Sequence, residues 1–520
     1  MLRRLGVEEL RRLARETGFT IDPAEEDQFQ ILADSILEIL DGLETQAPAE
    51  IPVIEAVRDA GTPPEPGEDP YNAIVRWCSV RAEEAEGVLS GKRVALKDSV
   101  AIAGIPLTCG SRVLAGFVPE NDSVVTERIL RAGAEVVAVT NMDDLAFSGG
   151  GDSSFYGPTL NPFDSSRTAG GSSGGSAAAL HYDGVDVSIG CDQGGSIRVP
   201  AAWCGVLGLK PTHGLVPYTG ITGIDQSFDH VGPMAGSVTD MAALLEAIAG
   251  PDESDPRQRG VPTERAYLRT VGEAPDDLEG LTIGVVAEGF AAEVGAEPAV
   301  VAAVQDAVGR FEALGAVTRP ISIPEHVQGG GIAFAGFIEG MTNLMGSGGN
   351  GWGWKGRYWT ELPTALGPGL RDHAQDLSAQ MKITLILGMY LRREYWGALY
   401  AKAQNLRPWQ SRAYDQALAA VDVLLMPTVP SVPHENDPSI PLAERVLRGW
   451  AVLSNTYPSD MTGHPALTLP AAEAEGLPVG VMVIAPRFAD DRLLAVAATY
   501  ERRFGWLPST NPSSARRRRS

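Results

Sequence analysis

Cysteine is scarce in this chain: four residues among 520, at Cys78, Cys109, Cys191 and Cys204. They form no C-x-x-C pair and are too sparse for a disulfide framework, which excludes a small stapled fold. They read as reduced, mostly buried thiols. Positive charge is also short. Lys and Arg number 42 against 66 Asp and Glu, a formal charge of −24, so nucleic acid and anionic membranes would be repelled. The exception is the run of four arginines at 516–519, which reads as part of a disordered basic tail over 509–520. No window approaches the length of uncharged apolar sequence that a membrane-spanning helix needs. The N-terminus, MLRRLGVEELRRLARE, lacks the apolar core of a secretory signal. These absences lead to the expectation of a cytoplasmic protein. Missing too are a phosphate-loop lysine after the glycines, an HExxH pair, any metal-ligand spacing and any repeat of fixed period. No metal and no cofactor is expected.

What is present is ordinary bulk: 44% hydrophobic and 21% charged residues, as in a soluble globular protein. The length allows about two to four domains. Residues 7–45 read as two helices. In the second, Asp22 is placed to cap, Pro23 to take the first helical position, and Glu25 and Glu26 to face the positive end. Phe29, Leu32, Ile36, Ile39, Leu40 and Leu43 then recur at helical spacing, a stripe suited to core or subunit contact. Six prolines within 46–70 mark a linker. From about residue 91 strands alternate with helices. Strands are expected at 93–97, 135–140, 185–191, 281–287, 317–323, 421–426, 466–469 and 479–484. Helices are expected at 124–132 (capped from Asp122 or Ser123), 176–181, 298–313, 375–404 and 492–504. Such alternation implies an α/β fold with a largely parallel sheet covered on both faces and sites gathered at strand ends. Residues 328–359 are rich in glycine and aromatics, which suits either a cover over a pocket or a satellite core.

The stretch 168–212 stands apart. It holds two serine-bearing glycine turns, Gly170-Gly171-Ser172-Ser173-Gly174-Gly175 and Gly194-Gly195-Ser196, separated by an apolar run. Flexible linkers have that composition too, but the second turn is flanked by Ile197, Val199, Pro200, Trp203 and Val206. Glycines packed among such residues permit close backbone approach or a positive φ. Successive N–H groups at such a turn can stabilise an oxyanion. Two nucleophile assignments are open. Gly170–Gly174 fits GxSxG, the nucleophile elbow of α/β-hydrolases, with His464 as a late histidine; the polar residues before it, with Pro162 among them, argue against the strand an elbow requires. Otherwise Ser196 is the nucleophile, and a base must take its proton.

GGSSGGSAAAL followed by DQGGSIRVPAAWCGVLGLKPT resembles the signature of the amidase signature family, serine hydrolases with a Ser–Ser–Lys triad. The similarity extends back to VALKD at 94–98 and forward through HGLVPYTG, DHVGPMA and MTGHPALTLP. With Gln193 before the glycines, the pattern is similar to amidases of nitrile-degradation pathways. The resemblance implies an amidase signature fold, an α/β/α sandwich around a mixed, largely parallel sheet, with an N-terminal helical domain. It implies Ser196 as nucleophile, Ser172 as a bridging serine held through a cis peptide bond, and Lys97 as the base. It further implies an oxyanion hole from Gln193, Gly194, Gly195 and Ser196, with Phe147 lining the acyl pocket. Ser173 is expected to support the triad, and Asp192 and Arg198 to form an ion pair that fixes the turn. Under this reading 1–88 is a helical domain with linker, 89–262 the catalytic core, 263–395 a smaller insert over the substrate pocket, and 396–508 the rest of the core. The implied activity is hydrolysis of carboxylic acid amides through an acyl-enzyme, in a homodimer joined by the N-terminal helices. A glutaminase component of an amidotransferase complex and a non-catalytic scaffold are the alternatives.

Overall fold

The computed structural model describes residues 2–46 and 54–507. The basic tail and part of the expected linker lie outside the described residues. The chain divides into two units, Met1–Val53 and Ile54–Ser520. The first is built on helices Val7–Thr17 and Glu26–Asp41. The second helix starts later than its capping signals imply. Asp22 instead closes a turn, taking the Ala24 N–H at 2.9 Å, and the regular helix begins at Glu26. Arg11 ties the two helices through Glu26 at 2.6 Å. The apolar stripe of the second helix is not core: Leu32, Ile36, Ile39 and Leu43 are all exposed, Ile39 by 75%.

The larger unit holds twelve strands: β1 (Ala56–Thr62), β2 (Ile74–Ala82), β3 (Arg93–Lys97), β4 (Glu135–Thr140), β5 (Val187–Asp192), β6 (Leu207–Lys210), β7 (His230–Ala235), β8 (Thr282–Val286), β9 (Val317–Ile321), β10 (Val423–Pro427), β11 (Ala466–Ala474) and β12 (Leu477–Ile484). They form one mixed sheet in the order β1-β2-β4-β3-β5-β7-β6-β11-β12-β10-β8-β9. Helices and buried side chains cover it, and Val94, Leu96, Val187 and Ile189 are fully buried in the largest hydrophobic cluster. The expected α/β class holds. Its parallel character is confined to β4-β3-β5 and to β10-β8-β9. The remaining seven pairings are antiparallel, so the sheet is not largely parallel.

Three boundaries need correction. The expected linker contains β1, because its prolines flank residues 56–62 and none falls within them; β1 is an edge strand. The helical region accordingly ends near residue 53 rather than 88. Residues 263–395 are not a separate insert either. They supply β8 and β9, and β10 from the later segment lies parallel beside β8 in the same sheet. At the helix Val124–Arg131, Ser123 is the cap, its Oγ taking the Thr126 N–H at 3.0 Å. Asp122 has another role, accepting from Arg58 Nη1 at 2.9 Å.

Candidate active site

β3 and β5 are parallel neighbours, and their C-terminal ends deliver the two halves of the site. Lys97 is the last residue of β3 and has no solvent exposure. Its Nζ lies 2.7 Å from Ser172 Oγ, across 75 residues of sequence. Burial pushes the Lys97 amine below its usual range, and the nearby Cys191, Asp143, Asp192 and Cys109 oppose that shift. Lysine is rarely so enclosed unless it is paired or used.

Ser172 follows a cis peptide bond from Gly171. The turn around it is held from several sides. Gly171 N–H donates to Gly149 O at 2.9 Å, and Asp143 N–H donates to Ser172 O at 3.3 Å. A side chain on Gly171 would overlap Asp143 Oδ2. The Asp143 carboxylate also accepts from Gly151 N–H at 3.0 Å and from Ser153 N–H at 2.9 Å and hydroxyl at 2.7 Å. Burial raises this carboxyl to about 6, helped by the charge of Asp152 and opposed by these hydrogen bonds. Ser173 behaves as a support: its Oγ donates to Cys191 O at 3.1 Å and accepts from Cys191 N–H at 3.2 Å. Its own N–H donates to Ser196 O at 3.1 Å, so the two serine turns are joined backbone to backbone.

The second turn begins where β5 ends. Ser196 is 4% exposed, whereas Ser172 and Ser173 are fully enclosed. Among the described residues, the N–H groups of Gln193, Gly194, Gly195 and Ser196 donate to no protein acceptor. Gly195 has φ +145°, and a Cβ there would overlap Thr456 Oγ1. The Thr456 hydroxyl in turn donates to Gly194 O. Gln193 is turned aside, its Nε2 donating to Tyr218 Oη at 2.7 Å.

Asp192 and Arg198 form the expected ion pair, bidentate at 2.9 Å in each arm and fully buried. Arg198 Nη2 also reaches Asp460 Oδ2 at 2.7 Å, and its Nη1 reaches Thr456 O at 2.8 Å. Burial works against both charges, but each holds the other: Asp192 stays below and Arg198 above its ordinary value. Arg198 therefore staples the turn to the segment 456–460, and among the described residues its guanidinium makes no hydrogen bond to Ser172, Ser173 or Ser196.

Phe147 is buried and meets Trp450 edge to face, ring centres 6.5 Å apart. The contact continues through Trp450–Phe334 at 5.8 Å and Phe334–Phe337 at 6.0 Å. Phe337 Cζ lies 2.9 Å and Leu453 Cδ1 3.5 Å from where a Gly194 Cβ would stand. An apolar wall thus flanks the glycine turn. Phe334 and Phe337 come from the glycine- and aromatic-rich stretch, which is both a core element and the wall of this turn.

The elbow reading fails on geometry. No strand leads directly into Gly170, the nearest upstream one ending at Thr140, and Ser172 Oγ is hydrogen-bonded to Lys97. His464 is committed elsewhere, to Asp415 at 3.1 Å and Thr462 at 2.9 Å. Sequence reasoning missed Asp143, Thr456, Trp450 and Leu453. A signal existed only for Asp143, in the acidic pair Asp143-Asp144 just before Phe147.

A mixed α/β sheet brings a buried lysine onto a serine beside a glycine-rich turn with free N–H groups, the frame of a candidate hydrolase site. Residues 74–494 match the Amidase family, and the chain belongs to it. It is an amide hydrolase. It is 38% identical to the enantioselective amidase of Rhodococcus rhodochrous over 86% of each chain. It is 36% identical to the A-type component of the glutamyl-tRNA(Gln) amidotransferase of Halobacterium salinarum, over 83% of this chain and 99% of that one. Among solved structures it is similar to the peptide amidase of Stenotrophomonas maltophilia, with a TM-score of 0.67 and 29% identity over 81% of this chain and 84% of the other. No helix among the described residues is long and apolar enough to cross a membrane.

Proposed function

We propose that Ser196 is the nucleophile, Ser172 the bridging serine and Lys97 the base of this amidase. The observation that carries the reading is the 2.7 Å contact between the enclosed Lys97 amine and Ser172 Oγ. A neutral amine accepts the Ser172 proton while Ser172 Oγ accepts the proton of Ser196. Ser196 Oγ bonds to the carbonyl carbon, and the negative charge that develops on oxygen meets the free N–H groups of residues 193–196. The relay then runs backwards. The C–N bond breaks, the nitrogen leaves as ammonia or an amine with the returned proton, and the acyl group stays as an ester on Ser196. Water, deprotonated by the same relay, attacks that ester and releases the acid. Asp192 and Arg198 hold the turn, Ser173 braces it, and Phe147 lines the acyl side.

The substrates are small to medium aliphatic and aromatic primary amides. Phe147, Trp450, Phe337 and Leu453 support this, since an apolar wall favours an apolar acyl group. A glutaminase role within an amidotransferase is the second reading, favoured by the likeness to the Halobacterium salinarum protein. The same wall weighs against it: none of these four side chains carries a charge to pair with the α-ammonium or α-carboxylate of glutamine. The protein works in the cytoplasm as a homodimer, with the exposed stripe of the second N-terminal helix covered by its copy.

Single replacement of Lys97, Ser172 and Ser196 by Ala, with ammonia release from benzamide, propionamide and glutamine as the assay, tests both readings. Loss in all three variants is expected, with the wild type preferring benzamide. Full activity of Ser196→Ala defeats the nucleophile assignment, and preference for glutamine favours the second reading.

A further inference from the structure

A cavity of about 320 Å³ opens beside the loop that carries Gly150, and neither serine turn lines it. Gly150 and Gly449 form one wall. Gly149 N–H donates to Gly449 O at 3.0 Å and Gly149 O accepts from Gly171 N–H at 2.9 Å, so one residue links this wall to the first serine turn. Among the described residues, two buried polar atoms of the residues that line the cavity have no partner. Thr168 is 3% exposed and its Oγ1 makes no hydrogen bond. Asp152 Oδ1 is likewise buried and unpaired, while Oδ2 stands 4.0 Å from Arg445 Nε, the outer limit of an ion pair. Unpaired buried polar atoms are uncommon because each costs about 1–3 kcal/mol. Arg445 and Arg448 line the same space together with the carboxylates Glu435 and Asp437, and among the described residues the Arg448 guanidinium makes no hydrogen bond or ion pair, though its charge acts on Asp437 and Asp152. Pro438 and Ile440 add an apolar patch.

These groups ask for complementary chemistry on one small molecule. Asp152 Oδ1 can only accept, and Thr168 Oγ1 can accept as well, so both suit an ammonium. Two guanidinium groups suit a carboxylate, which they bind in a fork. An ammonium and a carboxylate on one carbon, with an apolar substituent, describe a free α-amino acid. The volume is at the lower end of the range for small-molecule sites. We propose that this cavity is a binding site for an α-amino acid with a small apolar side chain, its ammonium on Asp152 and Thr168 and its carboxylate on Arg445 and Arg448. The site does not depend on which serine is the nucleophile.

Isothermal titration of the intact protein with glycine, L-alanine and L-valine tests this, with acetate and methylammonium as the two half-ligands. Saturable binding of one amino acid per chain is expected, with the half-ligands at least about tenfold weaker. Arg448→Ala and Thr168→Val should each weaken binding by about tenfold or more while benzamide hydrolysis is unchanged. No amino-acid binding overturns the proposal, because the cavity then holds only solvent. Acetate or methylammonium binding as well as L-alanine does so too, since a simple ion site would explain it. Binding undiminished in both variants overturns it by placing the ligand elsewhere.

Discussion

The two serine turns have nearly the same composition and opposite surroundings. Around Ser172 the backbone is tied down: Gly171 N–H reaches Gly149, Ser173 N–H reaches Ser196, and the Asp143 carboxylate packs against Gly171 with its oxygens already taken. Around Ser196 the N–H groups of four successive residues are unspent, and the neighbours are Phe337 and Leu453. One turn is closed, with Ser172 and Ser173 fully enclosed. The other is open on one side and keeps donors in reserve. Under the proposed mechanism nearly identical turns serve different ends, and the environment decides which: a serine against a buried amine suits proton transfer, and a serine beside free donors and an apolar wall suits contact with substrate.

That contrast can be broken at its centre. Ser196→Ala should lower kcat by roughly 10⁴-fold or more, as removal of a covalent nucleophile does in other serine hydrolases. Ser173→Ala, which removes only the brace to Cys191, should leave most of the activity; steady-state kinetics on benzamide compares the two. Gly195→Ala should follow in size. Its Cβ has to displace Thr456 Oγ1 from a backbone at φ +145°, which moves the donor N–H groups and should reduce kcat by about 10²-fold with little change in KM. Smaller again is the effect of the wall. Leu453→Asp should lower kcat/KM for benzamide by about tenfold and narrow its advantage over glutamine, measured by ammonia release. If glutamine gains nothing and benzamide is unaffected, the wall does not select the acyl group. The smallest change is Thr456→Val, which loses the hydroxyl bond to Gly194 O. It should cost about 1 kcal/mol of stability by denaturant unfolding and leave kcat largely intact.

Legibility in the sequence followed locality. β3, β4 and the helix capped by Ser123 are continuous segments with their own periodicity and caps, and they fall where expected. Ser172 and Ser196 stood out because each lies in a long motif, whereas Lys97, within the five residues VALKD, stood out only through the family resemblance. β1 was hidden by the prolines around it. β6 and β7 lie in glycine- and proline-interrupted motifs too short for periodicity to register, and without them the sheet looked more parallel than it is. The apolar wall joins Phe147 to Trp450 across some 300 residues, a proximity that no local pattern encodes. Burial of Asp143 is a tertiary fact of the same kind. The N-terminal stripe was visible, but its exposure was not, because periodicity reveals a face and not what covers it.

The proposed chemistry turns on the charge state of one amine. A titration of the Lys97 Nζ by NMR of selectively ¹³C-labelled lysine, assigned with Lys97→Ala, measures it directly. The midpoint should lie below the usual value of 10.5, and kcat/KM should fall as pH drops through that same midpoint, because protonation removes the base. A midpoint at or above 10.5, or a rate that stays flat while the amine becomes charged, would contradict the account.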